Sequence, residues 1–578
     1  MRLRLAIPLA ATIALAAPSA ALGAPAIHVT DFSLTASTPD VTVSPDASST
    51  TGLSYSNLSE DVKKAIGHFA PGMIANPEGV PHCPESLFLA DACPADTLIG
   101  SSGGEIDAAP NTRTIVSVNG RIYNEELLAD EAGRLGIILD TVPTKTWMTA
   151  PFYVRSNGDY GLDGVLDNLT RSLTGIGVVG NTQIDRLSFT LFGTVNGRRF
   201  TRAPTNCALH VSTGEVYGYD DPTPVADAPP SSYTPTNCAN LPFKPTFSMT
   251  VGSKGTTGYR QHPPLVVKVT QTPFEAGILG NAVTLPSILT PNVPAFQTLC
   301  SAAQLAADAC PPGSQAGTAT ATSSFVATPL SGPVYLVQQP GVILPALVAD
   351  LRGRVRVKIN IATSILGGKL IKSTVTDVPD LPVSTFELTL NGGAKGPLES
   401  KNDLCFKGTR ATSFRSLNAD VSFTGQNGAT VNSKPALHVK GCGPSASASL
   451  RGAKRPALKV AVTRHPDADN IKAVTLVLPK QVRLVPKRAK RSATAVVSEK
   501  LARTSIAIRG SRKLVISGLS NKGVSTLALR LGPGAVRLSG RVARKVRRGR
   551  TVNLSFKVLS VETDGDAFTS KASMRATR

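Results

Sequence analysis

Hydrophobic and polar side chains alternate with a period of two along several segments of this 578-residue chain. Residues 385–390 alternate in this way before an Asn-Gly turn signal, and residues 187–191 and 552–558 show the same pattern. Alternation between Gly, Pro and Asn turns is typical of antiparallel strands that bury one face. We therefore predict an all-β, mainly antiparallel fold of tandem, duplicated β-sandwich or Ig-like modules with few short helices.

Three segments depart from this alternation. Residues 60–66 and 301–307 have the pattern of short helices. Residues 342–349 form the longest apolar run after the N-terminal segment. A run of this length is too short to span a bilayer and fits a buried strand.

An internal duplication is marked by the cysteines. The eight Cys residues fall into two sets with similar spacing: Cys83, Cys93, Cys207 and Cys238, and then Cys300, Cys310, Cys405 and Cys442. The sequence ADACP at residues 90–94 recurs at 307–311, and FSLT at 32–35 matches FSMT at 247–250. These matches together indicate two copies of one unit.

The first part of this unit also has a third, weaker match. The segment AVTLVLP at residues 473–479 resembles AIGHFAP at 65–71 and AVTLP at 282–286. No Cys follows Cys442 to extend the match. We therefore expect a final domain that shares only the leading part of the repeat.

The repeat pattern divides the chain into six segments. We expect a signal peptide at 1–23, lead β module 1 at 24–82, Cys-containing β module 1 at 83–243, lead β module 2 at 244–299, Cys-containing β module 2 at 300–443, and a basic Ig-like β-sandwich domain at 444–578. Residues 24–243 are called repeat 1, residues 244–443 repeat 2, and residues 444–578 the C-terminal domain.

The cysteines are expected to form disulfides, because exported chains fold in oxidising compartments. The most local pairing joins Cys83 to Cys93 and Cys207 to Cys238, with equivalent pairs in repeat 2, and other pairings within each set stay open. Loop-closure entropy gives about 2.5–3 kcal/mol for each short bridge and about 4 kcal/mol for each long one. A zinc site is the alternative, but its ligands usually stand about two to four residues apart. We predict no metal and no cofactor.

The N-terminal residues have the three-part pattern of a secretory signal. Two arginines precede an apolar run at residues 5–17, and the small residues Ala21 and Gly23 stand at the −3 and −1 positions of a cleavage site before Ala24. No Cys follows the apolar run, and residues 571–578 are polar. We expect an extracellular protein, associated with the cell envelope, whose mature chain has no membrane span.

Motifs for catalysis are weak. Residues 100–104 satisfy G-x-S-x-G with Ser102 as nucleophile, but the residues that follow lack the helical pattern that a nucleophile elbow needs. Acidic residues in 157–167 and 562–566 offer oxygen ligands for calcium, although neither segment follows the EF-hand order. A carboxylate pair for glycoside hydrolysis needs no local motif. We expect plain turns at these positions and no catalytic residue.

Charge is distributed unevenly along the chain. The formal net charge is +22, and residues 441–578 contain 30 Lys or Arg against 6 Asp or Glu. Two clusters dominate the excess: Lys480, Arg483, Lys487, Arg488, Lys490 and Arg491 form one, and Arg541, Arg544, Lys545, Arg547, Arg548 and Arg550 form the other. Such a field attracts polyanions. The alternative is a basic surface that only maintains solubility.

Composition narrows the choice of partner. The chain has 18 Phe, 9 Tyr and 1 Trp, which is few for a protein that stacks sugars or bases on aromatic rings. For an exported chain, the expected partner is therefore an anionic cell-wall or matrix polymer, and nucleic acid is the less favoured alternative.

Several segments together resemble a known group of proteins. They are residues 69–77 (FAPGMIANP), 310–318, 330–336 (LSGPVYL), 386–397 (FELTLNGGAKGP) and 403–405 (DLC). In these segments the chain resembles large, exported, repeat-containing actinobacterial proteins of uncharacterised function. The resemblance covers most of residues 31–442 and implies export and β modules, with no catalytic residues.

We therefore predict an exported, non-enzymatic structural or binding protein. Its basic C-terminal domain is expected to dock on anionic surface polymer, while the repeats serve as a spacer or adhesive surface. The alternatives are a secreted hydrolase that uses Ser102 and an extracellular nucleic-acid binder.

Overall fold

A computed structural model describes residues 26–141, 145–155, 158–169, 171, 182–408, 411–497, 500–501 and 504–578. The predicted signal peptide lies outside these residues. Strands dominate the described chain and form three large sheets, one in repeat 1, one in repeat 2 and one in the C-terminal domain. Nearly all strand pairs are antiparallel, which confirms the predicted fold class.

Repeat 1 is built on an 11-stranded sheet with one short helix. Its elements are β1 (Ile27–Ala36), β2 (Ala47–Tyr55), β3 (Val62–Phe69), β4 (Ile74–Ala75), α1 (Glu85–Leu89), β5 (Leu98–Asp107), β6 (Ile115–Asn124), β7 (Gly133–Leu139), β8 (Thr146–Val154), β9 (Leu162–Leu166), β10 (Gln183–Leu191), β11 (Thr194–Val195), β12 (Arg198–Arg199), β13 (Thr201–Arg202), β14 (His210–Gly218) and β15 (Ser231–Tyr233). The two edge strands of the sheet, β1 and β15, lie next to each other, since the backbone N–H of Leu34 in β1 donates to Ser231 Oγ in β15 at 2.8 Å.

Repeat 2 is built on a 12-stranded sheet, again with one short helix. Its elements are β16 (Thr246–Val251), β17 (Leu265–Thr270), β18 (Ile278–Thr284), β19 (Leu289–Pro291), α2 (Ala302–Ala306), β20 (Gln315–Ser323), β21 (Val326–Val337), β22 (Ala346–Leu351), β23 (Val357–Leu366), β24 (Leu370–Val375), β25 (Thr385–Leu390), β26 (Leu398–Ser400), β27 (Asp420–Gly425), β28 (Thr430–Ser433) and β29 (Leu437–Val439).

The two repeats share one topology. The spatial order in repeat 1 is β1-β2-β10-β5-β6-β7-β8-β9-β3-β14-β15, and in repeat 2 it is β16-β17-β25-β20-β21-β22-β23-β24-β18-β27-β28. Every strand of the large sheet in repeat 1 therefore has a counterpart in repeat 2 at the same place in the chain and in the sheet. Repeat 2 adds β29, which pairs in parallel with β16.

The C-terminal domain has a 10-stranded sheet and two helices. Its elements are β30 (Ser445–Arg451), β31 (Ala457–Thr463), β32 (Ile471–Val477), β33 (Val482–Leu484), α3 (Pro486–Ser492), β34 (Ala493–Val497), β35 (Lys500–Leu501), β36 (Ser505–Arg509), β37 (Lys513–Ser517), β38 (Thr526–Leu531), β39 (Val536–Leu538), α4 (Gly540–Arg547), β40 (Val552–Glu562) and β41 (Ala567–Thr577).

This domain is a third, shortened copy of the repeat. Its order β30-β31-β38-β34-β35 matches β16-β17-β25-β20-β21, and β36-β37-β32-β40 matches β23-β24-β18-β27. The small sheet β33–β39 corresponds to β4–β13 in repeat 1 and to β19–β26 in repeat 2. The weak sequence match at residues 473–479 is therefore one part of a wider similarity, in which most strands of the C-terminal domain have counterparts in the repeats.

Each unit has its own apolar core. In the C-terminal domain, Leu458, Val460 and Val462 alternate with exposed residues along β31, and Phe556 and Val558 face the same core from β40. Burying a side chain of this size contributes about 1.5–3 kcal/mol. The period of two thus fixes which face of each strand is buried.

Two of the three local predictions need correction. Residues 60–66 are not a helix, because β3 begins at Val62 and the carboxylates of Glu60 and Asp61 bind backbone N–H groups at the start of the strand. The buried run is shifted as well: β22 begins at Ala346, and Ile343 lies in a turn with 94% of its surface exposed. The helix predicted at 301–307 is confirmed as α2, which Ser301 caps.

The lead and Cys-containing segments do not form separate sheets. Strands β2 and β3 precede residue 83, yet β2 pairs with β10, and β3 pairs with β9 and β14, all of which follow it. In repeat 2, β17 and β18 pair in the same way with β25, β24 and β27. The lead segment supplies strands to both halves of each sheet, because the chain returns to it after forming the middle strands.

Four disulfides join the cysteines in the most local pairing. The Cα–Cα distances are 5.5 Å for Cys83–Cys93, 5.9 Å for Cys207–Cys238, 5.1 Å for Cys300–Cys310 and 5.6 Å for Cys405–Cys442. In each repeat the short bridge encloses the helix α1 or α2, and the long bridge ties the segment after β13 or β26 to the end of the repeat.

Candidate functional site: the basic end of the C-terminal domain

The two basic clusters meet at one end of the C-terminal domain. Strand β33 pairs with β39 in the register Val482–Leu538, Arg483–Arg537 and Leu484–Val536. Helix α3 follows β33 directly, and α4 follows β39. This pairing brings together two clusters that are about fifty residues apart in the chain. The surface they form, with their neighbours, is called the basic end.

Helix α3 carries four of the six residues of the first cluster on its solvent side. Pro486 stands at the helix start, where it costs no hydrogen bond. Ala489 is fully buried and faces the core, while the basic residues of the helix are exposed. Lys490 and Arg491 lie in the last turn, where cations interact favourably with the helix dipole.

Helix α4 separates apolar and basic residues cleanly. Val542, Ala543 and Val546 are buried against the core, as expected for an amphipathic surface helix. The exposed residues are Arg541, Arg544, Lys545, Arg547 and Arg548, followed by Arg550. Like charges one turn apart weaken a helix by about 0.2–0.5 kcal/mol per pair. The buried face therefore holds α4 in place against repulsion on its outer face.

The basic end has no internal counter-charges in the described part of the chain. All twelve predicted residues are exposed, and none of them lies within ion-pair distance of a described carboxylate. Arg483 stands directly opposite Arg537 on the paired strands. Like charges in this position are destabilising. The arrangement is therefore unfavourable unless an external anion balances it.

Two further cations belong to the basic end and were not predicted. Arg537 is exposed and faces Arg483. Arg455 lies beside Arg488, because both guanidinium groups approach the α-carbon of Gly534, with Arg455 Nε and Arg488 Nη1 at 3.6 and 3.2 Å from where a Cβ would stand. Neither falls inside a dense basic run, so only the fold reveals their position.

The acidic residues of the domain lie at the opposite end. Asp467 and Asp469 precede β32, Glu562 ends β40, and Asp564 and Asp566 follow it. The sixth acidic residue of the domain is outside the described residues. Because β32 begins at the acidic end and stops at the basic one, and β40 runs the other way, the strands separate the two charges. Eleven extended residues in β40 span about 35 Å.

Repeat 2 contacts this acidic end. Asp467 Oδ1 lies 2.8 Å from His438 Nδ1, and Lys254 Nζ lies 2.9 Å from Asp566 Oδ1. The backbone N–H of Ala411 also donates to the carbonyl of Lys571 at 3.0 Å. The basic end therefore lies on the side of the domain away from repeat 2.

Burial raises the pKa of one carboxyl group at the acidic end. Glu562 is 2% exposed, and its pKa rises to about 7, mainly because of burial and then because of Asp564, Asp469 and Asp566. The backbone N–H of residue 469 opposes this rise as a hydrogen-bond donor. The group thus retains its proton close to neutral pH.

Ser102 does not occupy a nucleophile elbow. It lies in the middle of β5, between Phe189 of β10 and Gly120 of β6. The residue is 7% exposed, and its buried Oγ has no hydrogen-bond partner among the described groups. A nucleophilic serine needs a nearby base and access to substrate, and this environment provides neither.

Carboxylates in the first segment considered for calcium, residues 157–167, are paired with an arginine. Arg155 binds the carboxylates of Asp159 and Asp163, each at 2.7 Å. Within the described ranges, no group of three or more His, Cys, Asp or Glu side chains is placed to hold a metal ion. None of the described helices has the length and apolar character needed to cross a membrane.

Comparison with solved structures finds bacterial surface proteins. The Enterococcus faecalis MSCRAMM ACE, described as binding its ligands by the collagen hug model, is 10% identical over 57% of this chain and 94% of that chain, with a TM-score of 0.17. The collagen adhesin CNA from S. aureus is 6% identical over 58% and 91%, with a TM-score of 0.17. The major pilin SpaD from Corynebacterium diphtheriae is 10% identical over 86% and 91%, with a TM-score of 0.17.

These similarities carry no argument about function at such TM-scores. No family model matches the sequence, and no curated protein matches it. The resemblance to actinobacterial repeat proteins therefore stays a prediction from the sequence. The interpretation of the site depends on its own geometry and charge.

Proposed function

We propose that this chain is an exported, non-enzymatic structural or binding protein of the cell surface. Its C-terminal domain docks on an anionic envelope polymer through the basic end, and repeats 1 and 2 extend from the opposite side. The four disulfides support an oxidising, extracytoplasmic location. The proposed role requires no catalytic residue.

The observation that carries this proposal is the separation of charge within one domain. A basic surface that served only solubility would have no reason to gather cations at one end. Here, Arg483 and Arg537 face each other, and two helices add further cations without described carboxylate partners. The contacts of the acidic end with repeat 2 leave the basic end free for a polymer.

Binding of the full chain to purified cell-wall polymer tests this proposal. We expect co-sedimentation at low salt that declines steeply between 50 and 300 mM NaCl (about a 14-Å to a 6-Å screening length), since exposed charges are screened over such distances. A variant with the second cluster neutralised, Arg541, Arg544, Lys545, Arg547, Arg548 and Arg550 each to Gln, is expected to lose at least tenfold in affinity.

A control variant removes the same charge elsewhere. Its six substitutions to Gln are at exposed lysines outside the basic end: Lys268, Lys401, Lys440, Lys472, Lys522 and Lys557. If this variant loses as much affinity as the first, net charge and not the basic end drives binding. Salt-insensitive binding, or a clear preference for DNA over wall polymer of similar charge density, would also contradict the proposed role.

A further inference from the structure

Repeat 1 contains an apolar cavity of about 170 Å³ that is lined by strands of its large sheet. Several wall positions are small residues, including Ala65, Gly67, Ala150 and Gly164. Apolar cavities of about 150 Å³ can stay dry and bind small apolar molecules. The cavity therefore has the size and chemistry to accept an apolar group.

The corresponding cavity in repeat 2 is smaller, at about 110 Å³. In repeat 1, Ala150 of β8 pairs with Leu135, and in repeat 2, Ile361 of β23 pairs with Leu347 at the same position of the fold. All four side chains line their cavities. Repeat 1 thus leaves open a space that the side chain of Ile361 occupies in repeat 2.

A second apolar cavity, of about 180 Å³, adjoins the one in repeat 1. It lies between repeats 1 and 2, and the two cavities share Ile74, Ala75, Ala132 and Leu162 as lining residues. The two cavities are therefore neighbours separated by these shared residues, and together they offer more space than the repeat 1 cavity alone.

Two buried polar groups on the wall of the repeat 1 cavity lack partners. The side chain of Arg202 is 7% exposed, and its Nη2 lies 3.4 Å from Asp380 Oδ1 and 3.4 Å from the carbonyl of Glu275. Its Nη1 has no hydrogen-bond partner among the described groups, and neither has the buried hydroxyl of Tyr233. Buried polar groups nearly always have partners, so two exceptions on one cavity point to a ligand.

We propose that the repeat 1 cavity binds an acyl chain whose carbonyl oxygen accepts a hydrogen bond from Arg202 Nη1. The methylene chain occupies the apolar space beside Ala150, and the carbonyl lies at the polar wall. In repeat 2, the strand pair equivalent to β4–β13 has no arginine, and Ser400 faces Leu289 there. Of the two Cys-containing repeats, repeat 1 therefore has an arginine at this position of the cavity wall and repeat 2 does not.

The ligand carries a neutral head group. The charge of Arg202 is already matched by Asp380, which also accepts a hydrogen bond from Thr205 Oγ1 at 2.7 Å. Arg134, the other cation on the wall, is paired with both Glu125 and Glu131. Arg202 Nη1 lacks a hydrogen-bond acceptor but the guanidinium does not lack a counter-ion. An acyl ester or amide therefore fits better than a free carboxylate.

Calorimetric titration of the full chain with methyl octanoate tests binding. We expect one site per chain, and we expect Ala150→Ile, which copies the repeat 2 residue, to lower the affinity at least tenfold without lowering the melting temperature. The matched control Ile361→Val in repeat 2 should bind as the wild type does. Absence of binding to the wild type, or unchanged binding by Ala150→Ile, would overturn the proposal.

The polar contact is tested with three probes of similar length: methyl octanoate, octanoate and octane. We expect the ester to raise the melting temperature most. Arg202→Met combined with Asp380→Asn, which removes both charges of the buried pair, should reduce the response to the ester to that of octane. Tyr233→Phe offers a milder change if the double variant does not fold. Equal responses to ester and octane, or a preference for octanoate, would show that the assigned head group is wrong.

Discussion

Cationic residues at the basic end lie close to one another, so that their charges repel. The sequence identified twelve cations from their density along the chain, and all twelve are exposed. It did not identify Arg537 or Arg455, because their proximity to Arg483 and Arg488 depends on the pairing of β33 with β39 and on the turn at Gly534. Local composition reveals a charged segment, whereas non-local strand pairing determines which charges meet.

Because Arg483 faces Arg537, replacing one of them is expected to stabilise the domain and to weaken polymer binding. We expect Arg537→Thr to raise the free energy of unfolding by about 0.5 kcal/mol, since like charges directly opposite each other on paired strands are destabilising. The same variant should bind wall polymer more weakly. Chemical denaturation and co-sedimentation measure the two effects.

A control for this variant lies at the other end of the domain. Lys472 is exposed in β32 near the acidic residues, and Lys472→Thr should leave polymer binding unchanged. If Arg537→Thr destabilises the domain, or if the two variants bind polymer equally well, the basic end is not organised as described.

Glu562 predicts a pH dependence of stability. Its folded-state pKa of about 7 lies above the ordinary value of 4.5, so the folded state keeps a proton that the unfolded state releases between these pH values. Stability from this group is therefore lost as pH rises from about 4.5 to 7. We expect Glu562→Gln to raise the free energy of unfolding by about 1–2 kcal/mol at pH 8 and to have little effect at pH 4.

Calorimetry across this pH range tests the assignment. The exposed Glu126 provides a control, since Glu126→Gln should change stability little at either pH. A gain for Glu562→Gln that is equal at pH 4 and pH 8 would mean that the carboxyl group is not the source of the effect.

At the scale of elements, the alternation of hydrophobic and polar residues predicted the strands well. Secondary structure was predicted less well where polar side chains bind the backbone. The segment 60–66 was predicted to be a short helix, yet Glu60 and Asp61 bind backbone N–H groups at the beginning of β3. The third copy was underestimated for another reason. It has no Cys, and the signal that remained was a short match at 473–479, while strand order extends the equivalence to most of the domain.

The disulfides predict a ranking of stability losses. Removing the Cys405–Cys442 bridge, which spans 37 residues, should cost repeat 2 about 4 kcal/mol, and removing Cys300–Cys310, which spans 10, about 2.5–3 kcal/mol. Double substitutions to Ala and calorimetry of the full chain measure both. Equal losses, or a larger loss for the short bridge, would contradict chain entropy as the main contribution.

At the scale of the whole molecule, three copies of one fold carry different surfaces. Repeats 1 and 2 share their topology and disulfides, whereas the C-terminal copy has helices α3 and α4 and the basic end. The duplication of the Cys-containing unit and the overall charge were readable from the sequence. The separation of acidic and basic ends was not, because it depends on which strand ends meet.

The location of the protein in its own cells tests the central claim most directly. The full chain, the variant with the second basic cluster neutralised and the variant with six lysines neutralised elsewhere would be followed by cell fractionation with a salt wash. We predict that the full chain and the control variant are found in the envelope fraction and are released by high salt, while the cluster variant escapes to the medium. Envelope retention of all three, or release of all three to the medium, would contradict docking through the basic end.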